Sequence, residues 1–197
     1  MTEFQRPIPD LHAIFATDLD LGFAKNGNIP WHNRTDMEFF RRTTEYHVIF
    51  MGMSTFRSLP KLLPNRLHVV LTHNRELLDS TSAVMKQLEN IPTGELRELP
   101  RVLYTNNIYI ADFILNNREN MCTHWSFLLD SFRVYVIGGV SVLTQLIPRC
   151  STIWHTIIQQ HTNCDLHMPD ISLEQRGYVK YLCLANDSLA IYKYVLE

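Results

Sequence analysis

Short apolar runs rich in Val, Ile, Tyr and Phe recur along the chain: LHAIFAT (11–17), HVIFM (47–51), LHVVLT (67–72), RVLYT (101–105), RVYVIG (133–138), TIWHTIIQ (152–159), YVKYLCLA (178–185) and LAIYKYVL (189–196). Their length and their β-branched and aromatic content favour strands. Between them the apolar positions take helical spacing, most clearly in RTDMEFFRRTT (34–44) and SVLTQLI (141–147), and also in SAVMKQLEN (82–90). Strands that alternate with helices predict an α/β fold, a mixed but mainly parallel central sheet with flanking helices. The last two runs are joined by the turn formers Asn186, Asp187 and Ser188, which predicts a closing C-terminal antiparallel hairpin. Residues 73–133 lack this rhythm: charged pieces, Pro92, Pro100 and asparagine pairs at 106–107 and 116–117 interrupt two or three weak helical patterns. We read that stretch as an insertion at about 73–133 within a single domain spanning 1–197.

Composition narrows the class. Apolar residues make up 46% and charged residues 19%, enough to build a packed core and too little charge for a disordered chain. Eighteen basic against twenty acidic residues leave a net charge of −2, without the electrostatic footprint of a protein that binds nucleic acid or an anionic membrane. The expected partner is a small molecule or another protein. Cysteines at 122, 150, 164 and 183 form no CxxC pair and no zinc-type spacing with histidine, which points to reduced thiols and no metal. Glu3, Arg6 and Asp10 precede an apolar run shorter than a signal-peptide core, and no run approaches the ~20 apolar residues of a membrane span. A cytoplasmic location is the expectation.

Five of the seven glycines fall in three clusters, and each cluster could carry chemistry. In LGFAKNGNIPWHNRTDMEFFRRTT (21–44) a glycine-bearing loop runs through Pro30 and Trp31 into a helix, with Asn33 as its N-cap. Asp36 and Phe40 share one face of that helix, with Met37 and Phe39 close by. A carboxylate beside aromatics is costly unless something pairs with it. Alternatively, Asp36 merely completes the cap and favours the positive end of the helix dipole. In VIFMGMSTFRSLPKLLPNR (48–66) a strand ends at Gly52, and Ser54 and Thr55 follow at a candidate helix start, either an anion seat or an ordinary strand–turn–helix junction. Arg66 follows an LPN turn. In VYVIGGVSVLTQLIP (134–148) Gly138 and Gly139 join a buried strand to a helix, so the backbone there could meet a flat ligand or a pyrophosphate, or simply turn tightly.

Taken together, NGNIPW, Asp36 with Phe40, MGMSTF (51–56), LPNR (63–66), VIGG (136–139) and TIIQQHTNCDLHMP (156–169) resemble the dihydrofolate reductase family over nearly the whole chain. MGMSTFRSLPKLLPNR and the long stretch before VYVIGG look most like the T-even bacteriophage type, which implies a viral origin. The resemblance implies NADPH-dependent reduction of 7,8-dihydrofolate to tetrahydrofolate, supporting thymidylate and nucleotide synthesis. Asp36 would bind the pterin edge and govern protonation at N5, with Thr156 hydrogen bonding to the carboxylate and Trp31 holding an ordered water. Ile14, Met37, Phe40, Leu59 and Ile137 would line the substrate, and Arg66 would clamp the glutamate carboxylate of dihydrofolate or of an analogue such as methotrexate. Ala16, Gly52, Met53, Ser54, Thr55, Thr72, His73, Gly138, Gly139, Val140, Ser141, Val142 and Leu143 would meet the cofactor.

Four positions depart from the family pattern. Met53 stands where many members carry a cation against the cofactor's 2′-phosphate, so Thr72, His73 or Arg75 would have to contribute. Leu143 replaces a frequent tyrosine beside the nicotinamide. Ala24 replaces a glycine of the covering loop, which should narrow its backbone options. Leu166 replaces a threonine of the late motif. Two other readings follow: a fold relative such as the reductase of riboflavin synthesis, against which Asp36 and Arg66 speak, and a catalytically weak relative kept as a binding or virion protein.

Overall fold

The computed structural model describes residues 6–88 and 99–196. In chain order the elements are β1 (Ile8–Thr17), β2 (Gly22–Ala24), α1 (Arg34–Thr44), β3 (Val48–Gly52), α2 (Met53–Ser58), β4 (Leu67–Leu71), α3 (Arg75–Leu88), β5 (Val102–Thr105), α4 (Ile110–Asn116), α5 (Arg118–His124), β6 (Val134–Gly138), α6 (Val140–Leu146), β7 (Cys150–Ile158), β8 (Leu166–His167), β9 (Tyr178–Asn186) and β10 (Leu189–Leu196). Eight strands form one sheet in the order β5-β4-β3-β6-β1-β7-β10-β9. Every pairing from β5 to β7 is parallel. The last two strands join antiparallel, as the Asn186–Ser188 turn predicts.

Each inner strand is apolar on both sides, because helices cover both faces of the sheet. Leu11, Ala13 and Phe15 of β1 point to one core with Val134 and Val136 of β6, Val48 and Phe50 of β3, and Val142, Leu143 and Leu146 of α6. Ile14 points to the other face with Ile49, Met51, Tyr135 and Ile137, against Phe39 and Phe40 of α1. Phe50 and Phe132 are fully buried. Truncating either to alanine costs about 3–5 kcal/mol on the usual scale for such deletions.

The stretch 73–133 is more integral than an insertion reading suggests. Its strand β5 pairs parallel with β4, and Ala111, Ile114 and Met121 from α4 and α5 enter the main core. Helix α3 begins at Arg75, well ahead of the expected start at 82, and residues 89–90 of the expected span lie outside the described residues. Helix α1 covers the predicted span, capped by Asn33, whose side-chain oxygen accepts from the amides of Thr35 and Asp36 at 3.0 and 3.1 Å.

Two short strands were not foreseen. β2 and β8 form a separate two-stranded sheet beside the main one. The sequence between β2 and α1 makes a tight hairpin, with Lys25 and Asn28 exchanging both backbone hydrogen bonds at 2.8 and 3.0 Å. Asn26 and Gly27 take φ of 51° and 75°, the two positive values that a primed two-residue turn needs.

Candidate active site

Because β1, β3, β4, β6 and β7 are parallel, their C-terminal ends meet along one edge of the sheet. β1 leads to α1 on one face and β6 leads to α6 on the other, and such a division of the crossovers opens a crevice at the carboxyl ends. Asp36 stands in the first turn of α1, on the β1 and β7 side of this crest. Ala16 of β1 and Thr156 of β7 are register partners, and Thr156 is buried at 2% exposure. The Thr156 hydroxyl bonds to the Asp36 carboxylate, an interaction that lowers its pKa. Burial outweighs it and pushes the carboxyl above the ordinary aspartate range, since a neutral hydroxyl is a weak substitute for water around a charge. The result is a half-buried acid with no cation beside it among the described residues, the kind of environment found where a proton is used.

Trp31 packs beside it against Ile158, Leu189 and Ile191. Its Nε1 is buried without a protein acceptor. A buried indole N–H without a partner is rare, and a water that accepts from it would satisfy it. Phe39 meets the ring of Trp154 edge-on at 5.4 Å, and Lys193 lies over the same ring at 5.3 Å. Phe40, Leu59 and Leu63 pack on Ile14 and Ile137. Met37 is 54% exposed at the outer side of this wall. Trp154 belongs to the wall and was not foreseen, because a strand residue two positions before Thr156 looks like any other core aromatic.

Across the crest the second and third glycine clusters come together. Met51 and Gly138 are register partners, and the Gly138–Gly139 peptide is cis. Gly138 takes φ of +142°, and a Cβ there would lie 3.1 Å from the Thr55 hydroxyl oxygen and 3.5 Å from the Phe23 ring. A Cβ on Gly139 would meet the same oxygen at 3.3 Å, and one on Gly52 would touch Val142 at 3.4 Å. These close approaches leave backbone and a hydroxyl, rather than side chains, facing the cleft, with the first amides of α6 lacking intrahelical acceptors. Val140 is half-buried, Ser141 is exposed and Val142 is buried. Leu143 is fully buried in the main core, so it seats α6 and presents no surface to the cleft. Met53 is half-buried and Ser54 exposed at the start of α2. The Thr72 hydroxyl accepts from the Asn74 amide at 3.2 Å, while His73 and Arg75 are exposed beside it.

Arg66 is 1% exposed, although it directly follows a turn. Its Nε donates to the Thr44 hydroxyl at 2.9 Å, Nη1 to the Pro64 carbonyl at 2.7 Å and Nη2 to the Arg41 carbonyl at 2.8 Å. A guanidinium has five N–H donors, so each Nη keeps one hydrogen beyond these bonds. The end of α1 and the LPN turn thus hold the group rigidly, with its remaining donors paired in a fork.

The loop before α1 is tied to the segment after β7. Asp18, 2% exposed, accepts from the amides of Asp20, Gly22 and Thr162 and from the Thr162 hydroxyl, bonds that outweigh burial and hold its pKa near about 2. Asp165 accepts from the Asn26 amide at 2.7 Å. Ala24 pairs with Leu166 in the β2–β8 ladder, so two of the four departures face each other. The expected constraint at Ala24 falls away, because the left-handed residues of this loop are Leu21, Asn26 and Gly27 and Ala24 lies in a strand. Among the described residues no cluster of His, Cys, Asp and Glu could hold a metal ion, and no helix is long and apolar enough to cross a membrane.

A family model described as dihydrofolate reductase matches residues 10–111, just over half of the chain. The chain is 28% identical over 166 residues to dihydrofolate reductase type 9 of Escherichia coli, covering 83% of this chain and 77% of that protein. It is 26% identical over 157 residues to the dihydrofolate reductase of Bacillus subtilis, covering 80% and 74%. A solved dihydrofolate reductase from Enterococcus faecalis, complexed with NADP(H) and RAB-propyl, superposes with a TM-score of 0.64 at 23% identity, covering 94% of this chain and 95% of the other.

Proposed function

The chain belongs to the dihydrofolate reductase family, and from that premise we propose that its crest cleft reduces 7,8-dihydrofolate to 5,6,7,8-tetrahydrofolate with NADPH. The observation that carries the reading is the Asp36 carboxyl, raised in pKa by burial and bonded to a neutral hydroxyl. When bound, the reduced nicotinamide supplies the hydride that C6 of the pterin receives. Asp36 pairs with the N3 and 2-amino edge of the pterin, and its pKa, raised by burial, favours holding a proton that N5 can draw on. Thr156 fixes the carboxylate's direction. The unpartnered Trp31 N–H holds a water beside it. Ile14, Met37, Phe40, Leu59 and Ile137 hold the rings in a dry slot, which supplies orientation as much as binding.

Arg66 offers its remaining fork to the glutamate carboxylate, a charge-assisted pair worth about 1.5–3 kcal/mol. The side-chain-free cradle of Gly138 and Gly139 fits a flat ring, with Ala16 offering its backbone beside it. Gly52, Met53, Ser54 and Thr55 with Val140, Ser141 and Val142 fit the phosphates. His73 and Arg75 stand in for the missing cation at Met53, with Thr72 ordering the turn that carries them. The motif MGMSTFRSLPKLLPNR supports a viral source close to the T-even type.

The test is NADPH oxidation by the purified protein with and without dihydrofolate. Oxidation that needs dihydrofolate and stops with methotrexate is the expected outcome. Oxidation independent of dihydrofolate, or none at all, overturns the reading. Preference for NADH would remove His73 and Arg75 from the cofactor's phosphate.

A further inference from the structure

The segment between α2 and β4 carries part of the substrate wall on very little backbone support. It contains Pro60 and Pro64, which have no N–H to offer, and Lys61 and Leu62 at its tip are exposed. Leu59 and Leu63 nevertheless pack inward on the face that holds Ile14 and Ile137. Among the described residues, 60–63 make one hydrogen bond to the rest of the chain: the Leu63 amide donates to Nε2 of His68 at 3.1 Å. His68 is fully buried on β4, between Ile49 of β3 and Val102 of β5. Its Nδ1 lies 3.1 Å from the carbonyl of Arg101, the residue just before β5. An amide can only donate and a carbonyl only accept, so these partners fix the tautomer, with the hydrogen on Nδ1 and Nε2 bare. The neutral ring that this needs is favoured by burial and by the charges of Arg66 and Arg101, which lower the pKa of His68. A leucine would fill the same space beside the Phe56 ring without the cost of burying two ring nitrogens, so packing alone does not account for an imidazole here.

We propose that His68 is a positioning residue for the tail of the substrate, a strut that acts through the Leu63 amide to hold Leu59 and Leu63 over the slot. The inference rests on the dihydrofolate reading above and adds to it a source of selectivity separate from charge. Arg66 follows Leu63 by three residues and is anchored on its own account, through the Pro64 carbonyl, the Thr44 hydroxyl and the Arg41 carbonyl. The guanidinium therefore takes the glutamate carboxylate, while the strut sets the apolar wall along which the aryl segment runs between the pterin and that carboxylate. Without the strut the two leucines keep their chemistry and lose their fixed place, and a wall that must be ordered by the ligand binds it more weakly. A bare pterin ends before this wall and does not depend on it.

Three substrates separate the roles: dihydrofolate, dihydropteroate, which keeps the aryl group and lacks the glutamate, and a 6-methyl dihydropterin, which lacks both. His68→Leu removes both ring bonds and should raise KM for the first two by roughly 3–10-fold, with kcat little changed and the third substrate unaffected. His68→Gln, whose side-chain carbonyl can accept from the Leu63 amide, should restore most of the loss. Two readings on the unaltered protein need neither turnover nor a folded variant: ring nitrogen shifts should place the hydrogen of His68 on Nδ1, and the Leu63 amide should exchange with solvent more slowly than those of Lys61 and Leu62. Hydrogen on Nε2, Leu63 exchange as fast as its neighbours, a loss equal across all three substrates or confined to dihydrofolate, or an unchanged KM in His68→Leu would each overturn the proposal. An unaltered protein that protects Leu63 and yet fails to turn over dihydrofolate would instead overturn the reading of the cleft, and this role with it.

Discussion

The face of the sheet beneath α1 holds two buried polar regions, one at each end of the strands, and burial acts on them in opposite senses. At the crest it raises Asp36, whose side-chain partner is the neutral Thr156 hydroxyl. At the base, His12 and His47 flank the ring of Tyr135, each with its centroid at 5.3 Å, and both are pulled down to about 4, first by burial and then by the Arg133 charge. Desolvation disfavours whichever form is charged, so the acid's pKa is raised and those of the bases are lowered. The base is therefore neutral filling that supports packing. The crest holds a carboxyl raised by burial at a cost in stability, which marks it as the working end.

The largest effect expected is at the crest. Asp36→Asn should lower kcat by about 10²–10⁴-fold, the usual worth of a positioned proton donor or acceptor, while raising the unfolding free energy from urea titration by on the order of 1 kcal/mol. The sign follows from linkage: a carboxyl with a raised folded pKa stabilises only while protonated, and its contribution is lost as pH rises through that value. Activity of the native protein should fall as pH rises, and the Asn variant should lack that fall. A variant both inactive and less stable would break the contrast between the two ends.

The buried histidines, His12 and His47 at the base and His155 beside Thr156, should dominate the acid side of the stability curve. His12, His47 and His155 all sit near about 4 against an ordinary 6.5, so the unfolded chain binds more protons between these values. Stability is then level above about 6.5 and drops as pH falls toward 4, by on the order of a few kcal/mol over the window for the three together. Denaturant titrations at stepped pH would read the slope, and His12→Gln should flatten it without touching turnover. A slope unaltered in the His12→Gln variant would show that His12 is not what yields in acid.

Arg66 connects the two ends, since its charge helps depress His47 while its fork is assigned to the substrate tail. Arg66→Leu should raise KM for dihydrofolate roughly 10–100-fold, with little effect on a pterin lacking glutamate. Uniform loss for both substrates would make the residue a brace between α1 and the LPN turn and nothing more. Smallest is Ala24→Gly, expected to cost about 0.5–1 kcal/mol by thermal melting and to change turnover less than twofold, because Ala24 pairs within β2–β8 and does not turn the chain. A several-fold change in rate would put this ladder into the catalytic cycle.

All eight strands of the main sheet, the span of α1 and the closing hairpin could be read from the chain itself, because alternation and helical spacing are local consequences of which side chains must leave water. Asp36 and the glycine pair were likewise visible, as a carboxylate among aromatics and a strand running into side-chain-free backbone. The KNGN turn was equally local and went unread as a hairpin. What needed three dimensions was everything set by neighbours distant in the chain. The burial of Arg66 depends on the end of α1, and the placing of Leu143 in the core depends on β1 and β6. The pairing of Ala24 with Leu166 and the exposure of β9 depend on which strands ended up adjacent. The pKa of Asp36 belongs with these, since solvent access and a hydroxyl 120 residues away set it. A sequence specifies the side chains and their spacing, but the dielectric around a charge and the partner of an edge exist only once the chain has closed on itself.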